Sequence, residues 1–486
     1  MRLSELMKGR EVPTVKDQHV TGITADSREV ESGYLFAALY GTAVDGRNFI
    51  EEAAQKGAVA ILTDKSYVAE DCSIPCFRED NPRQVLARLA SRFYGAEPKT
   101  LSAVTGTNGK TSVAHFTRAI WRAMGFEAAS IGTLGVILPD TTLPLNYTTP
   151  EPVLLHKMLT YLVGQGIDHA VIEASSHGLD QYRLDGARII SAAFTNLTRD
   201  HLDYHHSSED YLLAKIGLIS RVLDQNGTAV LNADAEVYPA FLRAANDRAV
   251  KVLTYGRAGE QIKLLNIVPN NAGQLITVDI FGKVQEIQLP LAGEFQVMNA
   301  LCALGLVIGA GGDAVAATRA LAGISNVPGR LELVARLANN ATIYVDYAHS
   351  PDALETVLEA VRSHGNGRIH VVFGCGGDRD KGKRPEMGRI AGLYADHVIV
   401  TDDNPRSEDP ARIRAEIIVA CPEAQNIPDR RDAIEVAIKG LQSDDILVVA
   451  GKGHEEGQVT GTKTVPFNDK SVIQKIVAAE GASDER

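Results

Sequence analysis

Phosphate chemistry is written into residues Thr105 to Ser112, Thr-Gly-Thr-Asn-Gly-Lys-Thr-Ser. Gly106 and Gly109 permit backbone that a Cβ would obstruct, so N–H groups around Thr107 and Asn108 can turn inward onto a phosphate. Lys110 can then reach the β- and γ-phosphates, and the Thr111 hydroxyl can ligate Mg²⁺, with Ser112 closing the stretch. The full phosphate-loop pattern has glycine at the position held here by Val104. Glu173 ends the apolar run His169-Ala-Val-Ile, and a carboxylate leaving a sheet beside such a loop can hold Mg²⁺. The bland alternative is a solvated strand-end carboxylate. His and Asp side chains crowd Asp200 to His206, where His201 can serve a second Mg²⁺; no distant ligand pair supports zinc. Lys215 sits in Tyr211-Leu-Leu-Ala-Lys-Ile-Gly-Leu-Ile219, an amphipathic pattern in which a snorkelling lysine is the bland alternative.

These residues need a strand, a turn and a helix to hold them. Leu101-Ser-Ala-Val104 predicts the strand, and the helical spacing of apolar residues from Lys110 to Met124 predicts the helix. From 99 to 329 strands and helices alternate: strands at 128–131, 169–173 and 188–194, helices at 151–164 and 209–223. This is the pattern of a doubly wound parallel sheet. Residues 260–290 alternate in short runs and predict an antiparallel appendage, closed by a helix pair over 297–323. Residues 1–98 predict a small α/β unit, in which Thr24 to Arg28 and Asp45 to Phe49 are polar turns. Beyond the linker Asn326-Val-Pro-Gly-Arg330, strands at 342–346, 369–373, 397–400 and 446–450 predict a Rossmann-like third domain over 330–486. The fold expected is therefore α/β in three domains, 1–98, 99–329 and 330–486. Open α/β sheets place ligands at their carboxyl ends.

Composition narrows the classes. The 486 residues are 45% hydrophobic and 23% charged, ordinary for a soluble globular protein. A net charge of −12 argues against a general nucleic-acid or anionic-membrane binder. Five cysteines, without a Cys-x-x-Cys pair, read as free thiols. The amino terminus lacks a signal-peptide pattern, and no apolar run approaches the roughly 18 residues of a membrane span. The expectation is a reduced, cytoplasmic protein that acts as a monomer on small molecules.

The motifs TGTNGKTS, EASSHGL, NLTRDHLDYH, YLLAK, GEFQVMNA, VPGRLE, VDYAHSP, GCGGDRDKGKRP, TDDNPR and GKGHE occur in the order found in the Mur ligases. Asp26-Ser-Arg28 and Asp45-Gly46 extend this likeness to the amino-terminal region. The chain thus resembles the Mur ligase family along nearly its whole length. It departs at Arg47 and His206, where the family often has His and Gly.

The resemblance implies roles residue by residue. It makes Thr111 and Glu173 ligands of one Mg²⁺ and His201 a ligand of a second, and Lys215 the lysine that carries a CO₂-derived carbamate. It assigns Asn299, Arg330 and Asp346 to ATP and puts His349 near its phosphates. Ser27 would meet the uracil side of a UDP-sugar, with Thr148, Thr149, Ser175 and Arg183 on its sugar–peptide arm. Arg384, Asp403, Asn404, Arg406, Gly451 and Glu455 would line the pocket for the incoming amino acid. Asp-Asn-Pro-Arg occurs twice, at 80–83 and 403–406. The first copy reads as a helix start, with Asn81 as cap and Pro82 at the first helical position, and as nothing more.

The activity implied is an ATP-dependent ligation of meso-diaminopimelate to UDP-N-acetylmuramoyl-L-alanyl-D-glutamate through an acyl phosphate. An arginine such as Arg406 can grip the distal carboxylate in a bidentate fork, and Glu455 can take the distal ammonium. Lysine lacks that carboxylate and would leave Arg406 unpaired. The alternatives are a lysine-adding ligase of the same family, a folylpolyglutamate-type ligase, and a nucleotide-driven binding module without ligase activity.

Overall fold

The computed structural model describes all residues except 13–15, 42–43, 68–73, 199–203, 271, 364–366 and 482–486. Among the described residues the strands gather into three principal sheets, which follow one another along the chain. The first is parallel, in the order Gly22–Thr24, Tyr34–Ala37, Ala60–Asp64, Cys76–Glu79. Its long helix, Pro82–Tyr94, starts as the sequence predicts, with the Asn81 side chain accepting from the Gln84 N–H. That helix also docks the first unit on the second: Gln84 Nε2 donates to Asp185 at 2.8 Å.

The central sheet is built around the strand Thr100–Thr105, which lies between Ile189–Phe194 and His169–Glu173, all parallel. Its residues alternate between two cores. Leu101 and Ala103 face helices Pro152–Gly164 and Tyr238–Asp247, whereas Val104 faces helices Lys110–Ala123 and Glu294–Gly309. Val104, the departure from the phosphate-loop pattern, is thus a wholly buried core residue, and the turn begins at Gly106 instead. Burial on both faces explains why these strands read as continuous apolar runs.

The sequence pattern missed two further parallel strands, Leu223–Asn232 and Lys251–Gly256. The expected helix over 209–223 is α-helical only from Ser208 to Gly217. It widens to a π-helical turn over Leu218–Val222 and then becomes strand. The antiparallel strands Ile262–Asn270, Gly273–Ile280 and Lys283–Leu289 are the expected appendage, and they extend the same sheet rather than standing apart.

The third sheet contains the four predicted strands in the order Thr342–Asp346, Ile446–Ala450, Ile369–Phe373, His397–Val400. Glu332–Arg336 adds an antiparallel edge and Gln425–Asn426 closes the other side. Val371, Phe373 and Val448 point into one core, Val372, Leu447 and Val449 into the other.

Candidate active site

Parallel register puts Glu173 opposite Val104, so its carboxylate leaves the sheet beside the phosphate loop. Gly106 (φ +153°) and Gly109 (φ +89°) have no room for a side chain. A Cβ would lie 1.8 Å from Thr195 Oγ1 at the first and 2.3 Å from Asn299 Oδ1 at the second. The loop is braced from outside, because Asn108 N–H donates to Asn196 Oδ1 at 2.9 Å and Thr195 Oγ1 donates to the Asn108 carbonyl at 2.6 Å. The helix that follows begins at Lys110 without a side-chain cap, so its first N–H groups are open to an anion.

Lys110 Nζ donates to the carbonyls of Gly106 and Thr107, both at 2.8 Å. Lys215 Nζ, on a side chain only 1% exposed, donates to the same Gly106 carbonyl at 2.8 Å and lies 4.3 Å from the centre of the Tyr211 ring. Two lysine nitrogens therefore converge on one oxygen.

The Glu173 carboxylate is 2% exposed. Oε2 accepts from the Thr111 hydroxyl at 2.9 Å and from the Thr133 hydroxyl at 3.1 Å, and Oε1 from the Thr133 N–H at 2.9 Å. A buried carboxylate and a hydroxyl at the mouth of a phosphate loop form an all-oxygen donor set, which fits a hard cation such as Mg²⁺.

The third domain reaches this centre through the linker. Arg330 Nη2 lies 3.3 Å from Thr111 Oγ1, and its guanidinium stacks 4.3 Å over the Tyr347 ring. Asn299, 6% exposed, donates to Gln296 Oε1 at 3.0 Å, and Gln296 donates to the Arg330 carbonyl at 3.1 Å. Asp346 accepts from Leu331 N–H at 2.5 Å and Ala348 N–H at 2.6 Å, bracing the residue after the linker at φ +45°. Burial pushes the Asp346 carboxyl up to about 6 against the pull of Arg330. The His454 ring lies 5.4 Å from that of Tyr347, and burial pulls its imidazole down to about 4, so it is neutral.

Between the two domains lies a cavity of about 540 Å³, lined by His177 from the central unit and by third-domain residues. Those residues include His349, Asp403, Asn404, Arg406, Gly451 and Glu455. His349 Nδ1 lies 2.8 Å from the Tyr347 carbonyl. Arg406, held at φ +50°, donates to the Gly377 carbonyl at 2.7 Å.

Residues 104–307 match the Mur ligase middle domain, residues 329–453 the glutamate ligase domain of Mur ligases, and residues 19–94 the Mur ligase family catalytic domain. The chain is 52% identical over 460 residues to the UDP-N-acetylmuramoyl-L-alanyl-D-glutamate--2,6-diaminopimelate ligase of Brucella melitensis, covering 95% of this chain and 94% of that protein. A solved structure of a ligase of that name is similar, with a TM-score of 0.74 at 32% identity over 99% of both chains. The MurF ligase of Thermotoga maritima in complex with ADP shares the fold, with a TM-score of 0.62 at 18% identity over 97% of this chain and 100% of that one. The chain belongs to the Mur ligase family. As a member it is an ATP-dependent amide-forming ligase.

The geometry gathers most of the residues that the Mur ligase resemblance singles out. Thr148 Oγ1 lies 3.1 Å from Thr133 Oγ1, and Thr149 Oγ1 lies 2.9 Å from Ser175 Oγ and donates to the Glu173 carbonyl at 2.7 Å. Arg183 donates to the Thr149 carbonyl at 2.6 Å. The arm residues thus ring the exit of the Glu173 strand. Ser27 belongs to the first unit, in a tight turn capped by Asp26, where its carbonyl accepts from Lys56 at 2.9 Å.

One expectation falls outside the described residues, and two others change. His201 lies outside the described residues. Arg384 is not among the residues that line the cavity: its side chain is wholly buried and donates to Glu408 at 2.9 Å and Glu416 at 2.7 Å. That pairing holds the Glu408 carboxyl down at about 2. The first Asp-Asn-Pro-Arg is more than a helix start. Arg83 donates to the Tyr40 carbonyl at 2.8 Å and lines a second cavity of about 370 Å³ with Tyr40, Arg47, Asp64 and Ser66. Its positive charge also bears on Arg183 across the domain boundary. Sequence reasoning missed Thr133, whose partner only the folded sheet brings near. His177, Asn196, Tyr347 and Lys452 stand within the motifs, but the sequence alone gives them no role.

Proposed function

We propose that this Mur ligase joins meso-diaminopimelate to UDP-N-acetylmuramoyl-L-alanyl-D-glutamate in the assembly of the peptidoglycan stem peptide. The observation that carries the reading is the interdomain cavity, which gathers Arg406, Asn404 and Glu455 in one space; Asp352 of its lining lies 3.5 Å from Asn108 of the phosphate loop. A guanidinium and a carboxylate on the same wall complement an amino acid whose far end bears both a carboxylate and an ammonium. The name shared by the Brucella melitensis relative supports the same substrate class.

In this reading the glutamate γ-carboxylate attacks the ATP γ-phosphorus, forming an acyl phosphate and releasing ADP. The diaminopimelate amine then adds to the acyl carbon, and phosphate departs from the tetrahedral intermediate. The protein's part is positioning and charge neutralisation. Gly106 to Ser112 cradle the nucleotide phosphates, and Lys110 turns from its loop carbonyls onto the transferring group. Asn299, Arg330 and Asp346 hold the nucleoside side, and His349 stands by the phosphates. Thr111 and Glu173 would hold Mg²⁺, with His201 at a second ion; bound there, Mg²⁺ offsets the phosphate charge. Ser27, Thr148, Thr149, Ser175 and Arg183 would orient the UDP-sugar–peptide. Asp403, Asn404, Arg406, Gly451 and Glu455 would hold the amino acid, with Arg384 bracing them from behind.

The lysine at 215 would carry a carbamate, and the convergence of Lys110 and Lys215 on one carbonyl supports this. Two ammonium groups repel there, whereas an anion on Lys215 would sit favourably beside Lys110 and a cation. Among the described residues no helix is long and apolar enough to cross a membrane. ATP and nucleotide-linked substrates fit a monomer working in the cytoplasm, which size-exclusion with light scattering and cell fractionation test.

The direct test measures ADP release with the UDP-muramoyl dipeptide and a panel of amino acids. Release that depends on meso-diaminopimelate is expected; equal release with lysine, or with glutamate on a folate acceptor, would assign the chain to a sister activity.

A further inference from the structure

Lys452 lies beneath the cavity wall and is absent from its lining, yet its side chain is 0% exposed. A buried ammonium must find acceptors, and this one has three. Nζ donates to Asn404 Oδ1 at 3.1 Å, to Glu455 Oε2 at 2.9 Å and to the Gly457 carbonyl at 2.7 Å. Two of these belong to side chains that do line the cavity.

The network leaves each of them one orientation. Asn404 Oδ1 accepts from Lys452 and from the Val459 N–H at 2.9 Å, so its amide cannot flip, and Nδ2 donates to Glu455 Oε2 at 2.8 Å. Glu455 Oε2 is thereby filled twice, while Oε1 has no hydrogen-bond partner among the described residues. The Glu455 side chain remains 31% exposed at the cavity.

We infer that Lys452 is a positioning residue that sets the specificity of the amino-acid end, by fixing which oxygen of Glu455 faces the cavity and by offsetting its charge. This rests on the ligase reading above. With Lys452 in place, Glu455 offers a directed acceptor rather than a full unbalanced charge. A side chain ending in a lone ammonium then gains little at Glu455 and still faces the Arg406 guanidinium. A side chain ending in both ammonium and carboxylate satisfies Glu455 and Arg406 together. Without Lys452, Glu455 loses its ion-pair partner and keeps only the Asn404 Nδ2 on Oε2, so its carboxylate attracts any ammonium more strongly and the advantage of the second carboxylate shrinks.

The test uses the full chain, with ADP release measured for Lys452→Met, Glu455→Gln and the double variant, each with meso-diaminopimelate and with L-lysine. For Lys452→Met, KM for diaminopimelate should rise about tenfold or more, the scale of losing hydrogen bonds to a charged group. KM for ATP and for the UDP-muramoyl dipeptide should stay within about twofold, because neither touches this network. The ratio of kcat/KM for diaminopimelate over lysine should fall by about tenfold or more. The double variant should match Glu455→Gln alone, since Lys452 acts through Glu455.

Unchanged KM and ratio in Lys452→Met would overturn the inference, and so would a loss shared equally by all three substrates. Should Lys452→Met fail to fold, the double variant, which removes the buried charge together with its partner, decides through the comparison with Glu455→Gln; a preference differing from that variant's would also overturn it. If the wild-type chain releases no ADP with diaminopimelate, the ligase reading fails first. Calorimetric binding of diaminopimelate to the same variants then decides on Lys452, and equal affinity would overturn its role.

Discussion

Replacing Lys215 separates two meanings of its buried nitrogen. Lys110 Nζ and Lys215 Nζ each lie 2.8 Å from the Gly106 carbonyl oxygen, so they are at most twice that distance, 5.6 Å, apart. Two ammonium groups at that separation repel by about 3 kcal/mol at an effective dielectric constant of about 20. An anion on Lys215 turns that repulsion into an attraction of similar size. The full swing is about 6 kcal/mol, roughly four powers of ten in rate if it is realised in the transition state. Lys215→Ala removes the anion but adds no cation and should lose about 3 kcal/mol, on the order of a hundredfold in kcat. Lys215→Arg keeps a positive charge and should fall further, toward ten-thousandfold. Acetate or propionate, added to the ADP-release assay, should partly restore Lys215→Ala by filling the vacated space, and should do nothing for Lys215→Arg. Labelled bicarbonate should give a carbamate carbon-13 resonance in the wild type that Lys215→Ala lacks. Near-normal turnover of Lys215→Arg, with no effect of carboxylates, would refute the reasoning and leave a lysine that serves the fold alone.

Arg430 and Asp469 form an ion pair with both side chains 0% exposed, joined by two hydrogen bonds of 2.7 Å, and Arg430 also holds the Ala450 carbonyl at 2.9 Å. Asp469→Asn should cost about 3–5 kcal/mol in urea unfolding, because it strands a buried guanidinium, whereas Arg430→Met with Asp469→Leu should cost much less; a single variant within about 1 kcal/mol of wild type would show that the pair is not insulated from water. Arg406→Ala should raise KM for the amino acid by about tenfold or more, while Arg83→Ala should act on KM for the nucleotide-sugar substrate; an effect of Arg83→Ala on the amino-acid KM alone would contradict the placement of its cavity. Asp346, pushed up to about 6 by burial, contributes stability present below pH 3.8 that is lost as pH rises through about 6. The stability of the wild type relative to Asp346→Asn should therefore fall by about 3 kcal/mol between pH 4 and pH 7; a difference that stays constant with pH would mean that the carboxyl titrates normally.

The features legible in the sequence are local ones. The strand, turn and helix around Gly106 to Lys110 follow from apolar spacing and two glycines, and the four strands of the third domain from runs such as Ile446 to Ala450. The cap at Asn81 follows from an Asn-Pro pair. In each case the residues that settle the conformation are a few positions apart, so hydrophobic period and backbone sterics decide it within one segment. Leu223–Asn232 escaped because polar residues Asp224 to Asn226 interrupt its apolar run, and pairing with Ile189–Phe194 overrides that weak local preference.

What the sequence by itself determined, then, is the chemistry available and the elements that carry it: a phosphate loop, an acidic strand end, a buried-helix lysine and two Asp-Asn-Pro-Arg turns. Which residues face the same space was decided only in the tertiary structure. Arg330 meets Thr111 across 219 positions, and Asn404 meets Lys452 across 48. Arg384 turns away from the cavity because Glu408 and Glu416, on the loop and helix that follow the next strand, draw its guanidinium inward. Arg83 reaches the Tyr40 carbonyl because its helix packs against the first sheet. Such encounters depend on sheet order and on how helices pack across domain boundaries, and a burial pattern read along one segment carries no record of its distant partner.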